Sequence, residues 1–320
     1  MAQDRATEGV GRVEVIRIVS DEHAVPFSKG LLAQSLTATG LAPDRAYLVA
    51  IEVERRVLSG SDHDLSVERL HELVARVLCE MEGSVHLARY EKWTRLGRSE
   101  KPAIILIGGA TGVGKSTIAS QLANRLGIVR LISTDSIRQV MRTFFSAELM
   151  PAIHYSSFNA GAAVRIPVGK NLNPHLVAFV EQVEMVSVGV KAIIDRALEE
   201  GTSLVVEGVH LVPGFLDTSS WDRGLVLSLT VAVGDPELHM SHFLVRERET
   251  DGRRPFTRYV EHFEEIRGIQ NFILARAEAE STLVVDNVNI DDAVGMSVDA
   301  LYEMIERAEA TTLFAAGGRP

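Results

Sequence analysis

A single cysteine, Cys79, stands among 320 residues. One thiol closes no intramolecular disulfide framework and builds no cysteine zinc cluster, so it reads as a small packed side chain in helical text. None of the ten histidines has a neighbouring carboxylate or cysteine at metal-ligand spacing, and no zinc is expected. No apolar run approaches the roughly 18 residues of a membrane span. The start, MAQDRATEGVGRVEV, lacks the basic-then-apolar order of a secretory signal. A cytoplasmic location without a membrane partner is the expectation. Positive charge is also scarce, with 33 Lys and Arg against 43 Asp and Glu, a net charge of −10. That balance speaks against nucleic acid as a partner, so any anionic ligand needs a local basic cluster.

What is present is a 46% hydrophobic fraction, enough to bury a core, over a length that suits two domains. Residues 1–12 are expected to form a disordered tail. VEVIRIVS, residues 13–20, alternates as a strand, and VPFSKG leads into helical text from Ser28 to about Thr39. Pro43 suits the first turn of a helix running to about Leu58, where SGSDHD interrupts. A third helix begins near Ser66, with Val67, Leu70, Leu73, Val74, Val77, Leu78 and Met81 on one apolar stripe. The charged stretch from Tyr90 to Lys101 reads as a link, which sets a first domain at 13–97 and a second at 98–312. Residues 313–320 read as a frayed tail.

From Ala103 the text alternates strand and helix, which predicts an α/β domain: a five-stranded parallel sheet with helices on both faces. The strands are expected at 104–107, 129–132, 203–206, 225–233 and 282–285, and a long helix from about His175 to Glu200 stops at Gly201. The first of these strands breaks into GGATGVGKST. Gly109, Gly114, Lys115 and Ser116 match G-x-x-x-x-G-K-[ST], the phosphate loop of ATP-binding proteins. Its glycines let successive amides point at phosphate oxygens, and the helix that follows offers its positive end. ATP is thus expected on Gly109, Ala110, Thr111, Gly112, Val113, Gly114, Lys115, Ser116 and Thr117, with Lys115 on the terminal phosphates and Ser116 on Mg²⁺.

Further parts of an ATP site belong at the carboxyl ends of the strands. Glu207 ends the third core strand, either as an exposed carboxylate or as one that touches Mg²⁺ through water. Asp135 follows the second strand, where it caps a helix, holds or deprotonates an acceptor hydroxyl, or does both. Arg138 and Arg142, four apart, share a helix face beside it; they grip an anionic acceptor or form a solvated basic face. The basic cluster is RERETDGRRPFTR, in which Arg246, Arg248, Arg253, Arg254 and Arg258 crowd a Gly-Pro-containing loop. It is either a mobile arginine lid over the transferring phosphoryl group or a polar surface loop. Asn287 and Asn289 follow the last strand, at an adenine contact or as a helix cap.

The ordered set VPFSKGLLAQSL, AYLVAIEVE, GGATGVGKST, ISTDSIRQVMR, LMPAIHYSSFNAG, VVEGVHLVPG and RYVEHFEEIRGIQNFI, across about residues 13–305, resembles the 2-phosphoglycerate kinase family of phosphate-loop kinases. The resemblance implies transfer of phosphate from ATP, with Mg²⁺, to the free hydroxyl of 2-phosphoglycerate. It also implies that the first domain is an ATP-cone-like regulatory module able to bind nucleotide or mediate homo-oligomer formation. Asp135, Arg138, His154, Ser156, Ser157, Glu207, His210 and Arg258 would then bind the acceptor, and Lys115, Asp135 and Arg254 would carry catalysis. On their own, His154 to Phe158 equally suit an inter-helix loop with capping serines. The segment NAGAAVRIPVGKNLNPH departs from the family pattern and adds Arg165 and Lys170 near the acceptor side. Another anionic polyol such as an inositol phosphate, or an ATP-responsive regulatory protein without turnover, stays open as an alternative.

Overall fold

The computed structural model describes residues 16–19, 23–60, 64–98, 101–164 and 173–317. The tail expected at 1–12, and Arg165 and Lys170, lie outside the described residues. Two compact units divide the chain, residues 1–95 and 96–320.

In the first unit β1 (Arg17–Val19) pairs antiparallel with β2 (Ala24–Pro26). Ser28 caps α1 (Lys29–Thr37) by accepting from the Leu31 amide. Pro43 opens α2 (Pro43–Leu58), where a missing N–H costs nothing. β3 (Asp64–Ser66) runs parallel to β1, and Ser66 caps α3 (Val67–Glu82). β1 falls within the strand expected at 13–20, whereas β2 and β3, three residues each, carry too little alternation to be read in advance. Leu36, Val49, Val53, Val77 and Leu78 build the core. Two expectations are corrected here. Cys79 is exposed, because Val77 and Leu78 occupy the inward stripe of α3 and the next position turns toward water. The stretch from Tyr90 is no link. It belongs to α4 (Ser84–Arg98), where Tyr90 is buried and stacks on Trp93 with ring centroids 6.0 Å apart. Two aromatics three apart share one helix face, and that burial outweighs the surrounding charges.

The second unit runs β4 (Ala103–Gly108), α5 (Lys115–Leu126), β5 (Arg130–Ser133), α6 (Thr134–Phe144), α7 (Pro174–Glu199), β6 (Leu204–Glu207), β7 (Leu225–Ala232), α8 (Pro236–Glu249), α9 (Phe256–Val260), α10 (Phe263–Ala279), β8 (Leu283–Asp286) and α11 (Ile290–Gly317). Short 3₁₀ segments, Pro151–His154 and Ser157–Ala163, lie between α6 and α7. The sheet is all parallel in the order β5-β6-β4-β7-β8. All six residues of β4 are buried, as a central strand covered on both faces requires. Ile104, Leu106, Leu204 and Val206 pack against Ile137 of α6 and Val186, Val190 and Ile194 of α7. Helices α5 and α11 cover the strands from the other side. α11 continues through residues 313–317, where a tail was expected, since Leu313, Ala315 and Ala316 are good helix formers and no glycine intervenes between Gly295 and Gly317.

Register decides where chemistry gathers. Glu207 lies beside Ile107 on one side and Ser133 on the other, and Ala232 lies beside Asp286. The phosphate loop, Asp135, Glu207 and Asn287 therefore all emerge at one carboxyl edge of the sheet, the edge where open α/β sheets bind ligands.

Candidate active site

Six residues separate the end of β4 from the start of α5. Gly114 has φ +91° and Gly112 φ +87°, backbone that favours glycine; a Cβ would collide with the Asn287 amide at the first and the Phe243 ring at the second. Consecutive loop carbonyls are each taken by a side-chain N–H. Ala110 O accepts from Lys115 Nζ (2.6 Å), Thr111 O from His239 Nε2 (2.8 Å), Gly112 O from His242 Nδ1 (2.9 Å) and Val113 O from Asn287 Nδ2 (3.0 Å). In a trans peptide the C=O and the following N–H point opposite ways. Holding the carbonyls of 111–113 on these side chains therefore turns the amides of Gly112, Val113 and Gly114 away from them, as anion binding requires.

Lys115 is buried, and burial lowers its pKa while the charges of Glu207 and Asp135 raise it. Ser116 Oγ donates to Glu207 Oε1 at 3.1 Å, and Glu207 is buried at the end of β6. The strand-end carboxylate expected beside the loop is thus in hydrogen-bond contact with it. A hydroxyl and a carboxylate are hard oxygen donors of the kind Mg²⁺ takes alongside nucleotide phosphates. Among the described residues no three His, Cys, Asp or Glu side chains converge into a metal cluster.

The cap of α6 is Ser133, not Asp135. Ser133 has the extended backbone that a cap needs and accepts from the Ser136 amide at 3.1 Å. Asp135 sits in the first helical turn with 68% of its side chain exposed, 3.3 Å from Arg138. Arg138 is mostly enclosed, donating to the carbonyls of Ile153 and Tyr155 at 2.9 Å each. It braces the 3₁₀ turn, which leaves less of it for an acceptor. Arg142 donates to Gln139 at 3.2 Å.

His210, expected at the substrate, is corrected to an internal role. It is 1% exposed, with Nδ1 2.7 Å from Thr134 Oγ1 and Nε2 3.0 Å from Gln182 Oε1. The Gln182 amide nitrogen donates to Ala152 O (2.5 Å) and Tyr155 O (3.1 Å), so its oxygen faces His210 and the imidazole proton lies on Nε2. Burial drives the His210 pKa from 6.5 down to about 3. This chain ties the start of α6 to the turn 151–155. His154 Nε2 donates to Phe145 O (2.9 Å), and Ser157 is buried. Ser156 differs: its hydroxyl accepts from Arg258 Nη2 at 2.7 Å, and the Arg258 guanidinium lies 5.6 Å from the centre of the Phe158 ring.

Arg253 and Arg254 occupy the exposed loop between α8 and α9. Tyr259 is buried, which raises its pKa; Arg254 and Arg258 pull it down and Asp135 adds to the rise. The charge of Asp135 thus acts on Lys115, His210 and Tyr259 alike. Phosphate loop, Asp135 and the arginine-bearing segment therefore share one electrostatic neighbourhood. The asparagines do not stand free for adenine. Asn287 is buried and anchors Val113, and Asn289 accepts from the Asp291 amide at 2.8 Å, capping the start of α11. His239 and His242 belong to no motif of the sequence. Their spacing of three puts both on one helix face, yet nothing local says that this face meets a loop about 130 residues earlier.

The parallel sheet, the phosphate loop entering α5 and the carboxylate on the neighbouring strand make this a phosphate-loop kinase domain. Residues 87–164 match the Zeta toxin family. A solved gluconokinase from Sinorhizobium meliloti 1021 aligns with 66% of this chain and 97% of its own at 17% identity and a TM-score of 0.39. The 2-phosphoglycerate kinase of Methanopyrus kandleri is 36% identical over 306 residues, 96% of this chain and 93% of the relative. That of Methanothermobacter thermautotrophicus is 40% identical over 280 residues, 88% and 91% of the two chains. The chain belongs to the 2-phosphoglycerate kinase family. Among the described residues no helix is long and apolar enough to cross a membrane.

Proposed function

We propose that the chain transfers the γ-phosphoryl group of ATP to the free hydroxyl of 2-phosphoglycerate, giving 2,3-bisphosphoglycerate and ADP. The observation that carries the reading is the position of Asp135. It is an exposed carboxylate relieved of capping duty, with its charge felt at Lys115 and at Tyr259, in a chain whose relatives bear that activity's name over 88% and 96% of its length.

In this reading the amides of Gly109 to Thr117 cradle the ATP phosphates and Lys115 neutralises the terminal ones. Ser116 and, through water, Glu207 would hold Mg²⁺, which when bound would supply positive charge to offset that of the phosphates. Asp135 orients the C3 hydroxyl in line with the γ phosphorus and takes its proton. The C3 oxygen forms the new bond to phosphorus, and the bond from phosphorus to the β–γ bridging oxygen breaks. Arg258 with Ser156 holds the acceptor's anionic groups, and Arg253 and Arg254 close over the transferring phosphoryl group and exclude water. His210, Gln182 and Arg138 keep the acceptor-side turn in place.

Incubation of the purified chain with MgATP and, separately, 2-phosphoglycerate, 3-phosphoglycerate, glycerate and inositol phosphates, read by phosphorus NMR, tests this. A second phosphomonoester resonance with 2-phosphoglycerate is the expected result. Product only from a different acceptor overturns the substrate, and no acceptor-dependent ADP release overturns the kinase reading.

A further inference from the structure

We propose that His239 and His242 are positioning residues of the phosphate loop: by holding the Thr111 and Gly112 carbonyls they aim the loop amides at the ATP phosphates and set nucleotide affinity. The inference rests on reading that loop as the ATP site. Both residues lie on α8, one turn apart, and reach back 128 and 130 positions to adjacent carbonyls. They use different ring nitrogens, Nε2 of His239 at 2.8 Å and Nδ1 of His242 at 2.9 Å. A carbonyl only accepts, so each nitrogen carries the proton. Burial takes the His239 pKa down to about 4, against a smaller opposing effect of the Thr111 carbonyl, so this ring is neutral and has one N–H to give.

The rest of the His239 environment is aromatic. Its ring stacks on Phe243 at 5.4 Å and meets the edge of Phe263 at 5.6 Å, and its Nδ1 is buried with no protein partner. A buried nitrogen without a hydrogen bond costs stability. Phenylalanine would fill the same stack without that cost, so the one thing histidine adds here is the N–H to Thr111. The loop also packs directly on this helix, since a Cβ on Gly112 would run into Phe243. Phe243 in turn stacks on Tyr259 at 4.5 Å with the rings 7° from parallel. A merely structural histidine and a positioning one therefore predict opposite results on replacement by phenylalanine.

The test is MgATP binding to the whole chain by calorimetry without any acceptor, together with Tm. His239→Phe should weaken MgATP about tenfold, the worth of one lost hydrogen bond, while Tm stays level or rises. His239→Gln, whose amide nitrogen falls near Nε2, should recover most of the affinity. His242→Ala should weaken binding similarly, and His242→Asn, whose amide nitrogen falls near Nδ1, should restore it. Unchanged MgATP affinity in His239→Phe and His242→Ala overturns the proposal. So does affinity lost in step with Tm that the glutamine and asparagine variants fail to recover. Absence of MgATP binding by the unaltered chain overturns instead the ATP reading on which the proposal rests.

Discussion

Ser116 Oγ and Glu207 Oε1 lie 3.1 Å apart although 91 positions separate them, which joins the phosphate loop to the end of the neighbouring strand. Glu207→Gln keeps an oxygen to accept that bond and removes the charge. The variant should therefore fold normally and demand more Mg²⁺, by about 10- to 100-fold, as when a group supporting a metal is altered. Titration of the phosphoryl-transfer rate with Mg²⁺ at fixed ATP measures it; an unchanged half-saturating Mg²⁺ concentration would remove Glu207 from the metal's surroundings.

Lys115 is the buried cation of the loop, with its ammonium on Ala110 O at 2.6 Å. Lys115→Ala should lower the transfer rate by at least about 10²- to 10³-fold, the usual cost of deleting a donor aimed at transition-state charge. Tm should hold, because an ammonium kept out of water costs its own desolvation. Full activity in Lys115→Ala would defeat the kinase assignment.

Asp135→Asn separates catalysis from capping. Ser133 holds the helix start, so Tm should stay put. If Asp135 takes the acceptor proton, kcat should fall by about 10²- to 10⁴-fold with little change in KM for ATP. Steady-state kinetics in both substrates reads this out, and a rise confined to KM for ATP would contradict it.

Acid should destabilise the fold through two buried histidines. His210 and His239 have folded pKa values of about 3 and 4, against 6.5 for an ordinary histidine. Between those values and 6.5 the unfolded chain binds protons that the folded chain refuses. Stability is therefore full above pH 6.5 and declines as pH falls through that window, by about 2 kcal/mol for each of His210 and His239 at pH 5. Urea denaturation at pH 8 and pH 5 measures the loss. It should be smaller in His239→Phe than in the unaltered chain, and equal losses would exclude His239 as a contributor.

Much of the fold could be read locally. Pro43 and Ser66 mark helix starts, and the five apolar runs of the second unit land within a residue or so of β4 to β8, because strand and helix periodicity are properties of short windows. The candidate site divides differently. Loop glycines, Lys115 and Ser116 are contiguous, and Glu207 follows from its place at a strand end. On the acceptor side the sequence names polar side chains but not their partners, which only tertiary contacts supply. Asp135 leaves the cap to Ser133, His210 faces Thr134 and Gln182, Asn287 holds Val113, and Arg138 braces a turn.

The phosphate loop needed only its own residues to be recognised, since a strand, a glycine-rich turn and a helix N-terminus are adjacent in the chain and make an anion site by local geometry. Whether a polar side chain is offered to a ligand or spent inside the protein depends on partners brought from far away. His210 meets Gln182 from 28 positions off and His239 meets Thr111 from 128. Those distances close only when the sheet aligns its strand ends and the helices pack over them, so the division between contact residues and supporting ones belongs to the tertiary structure.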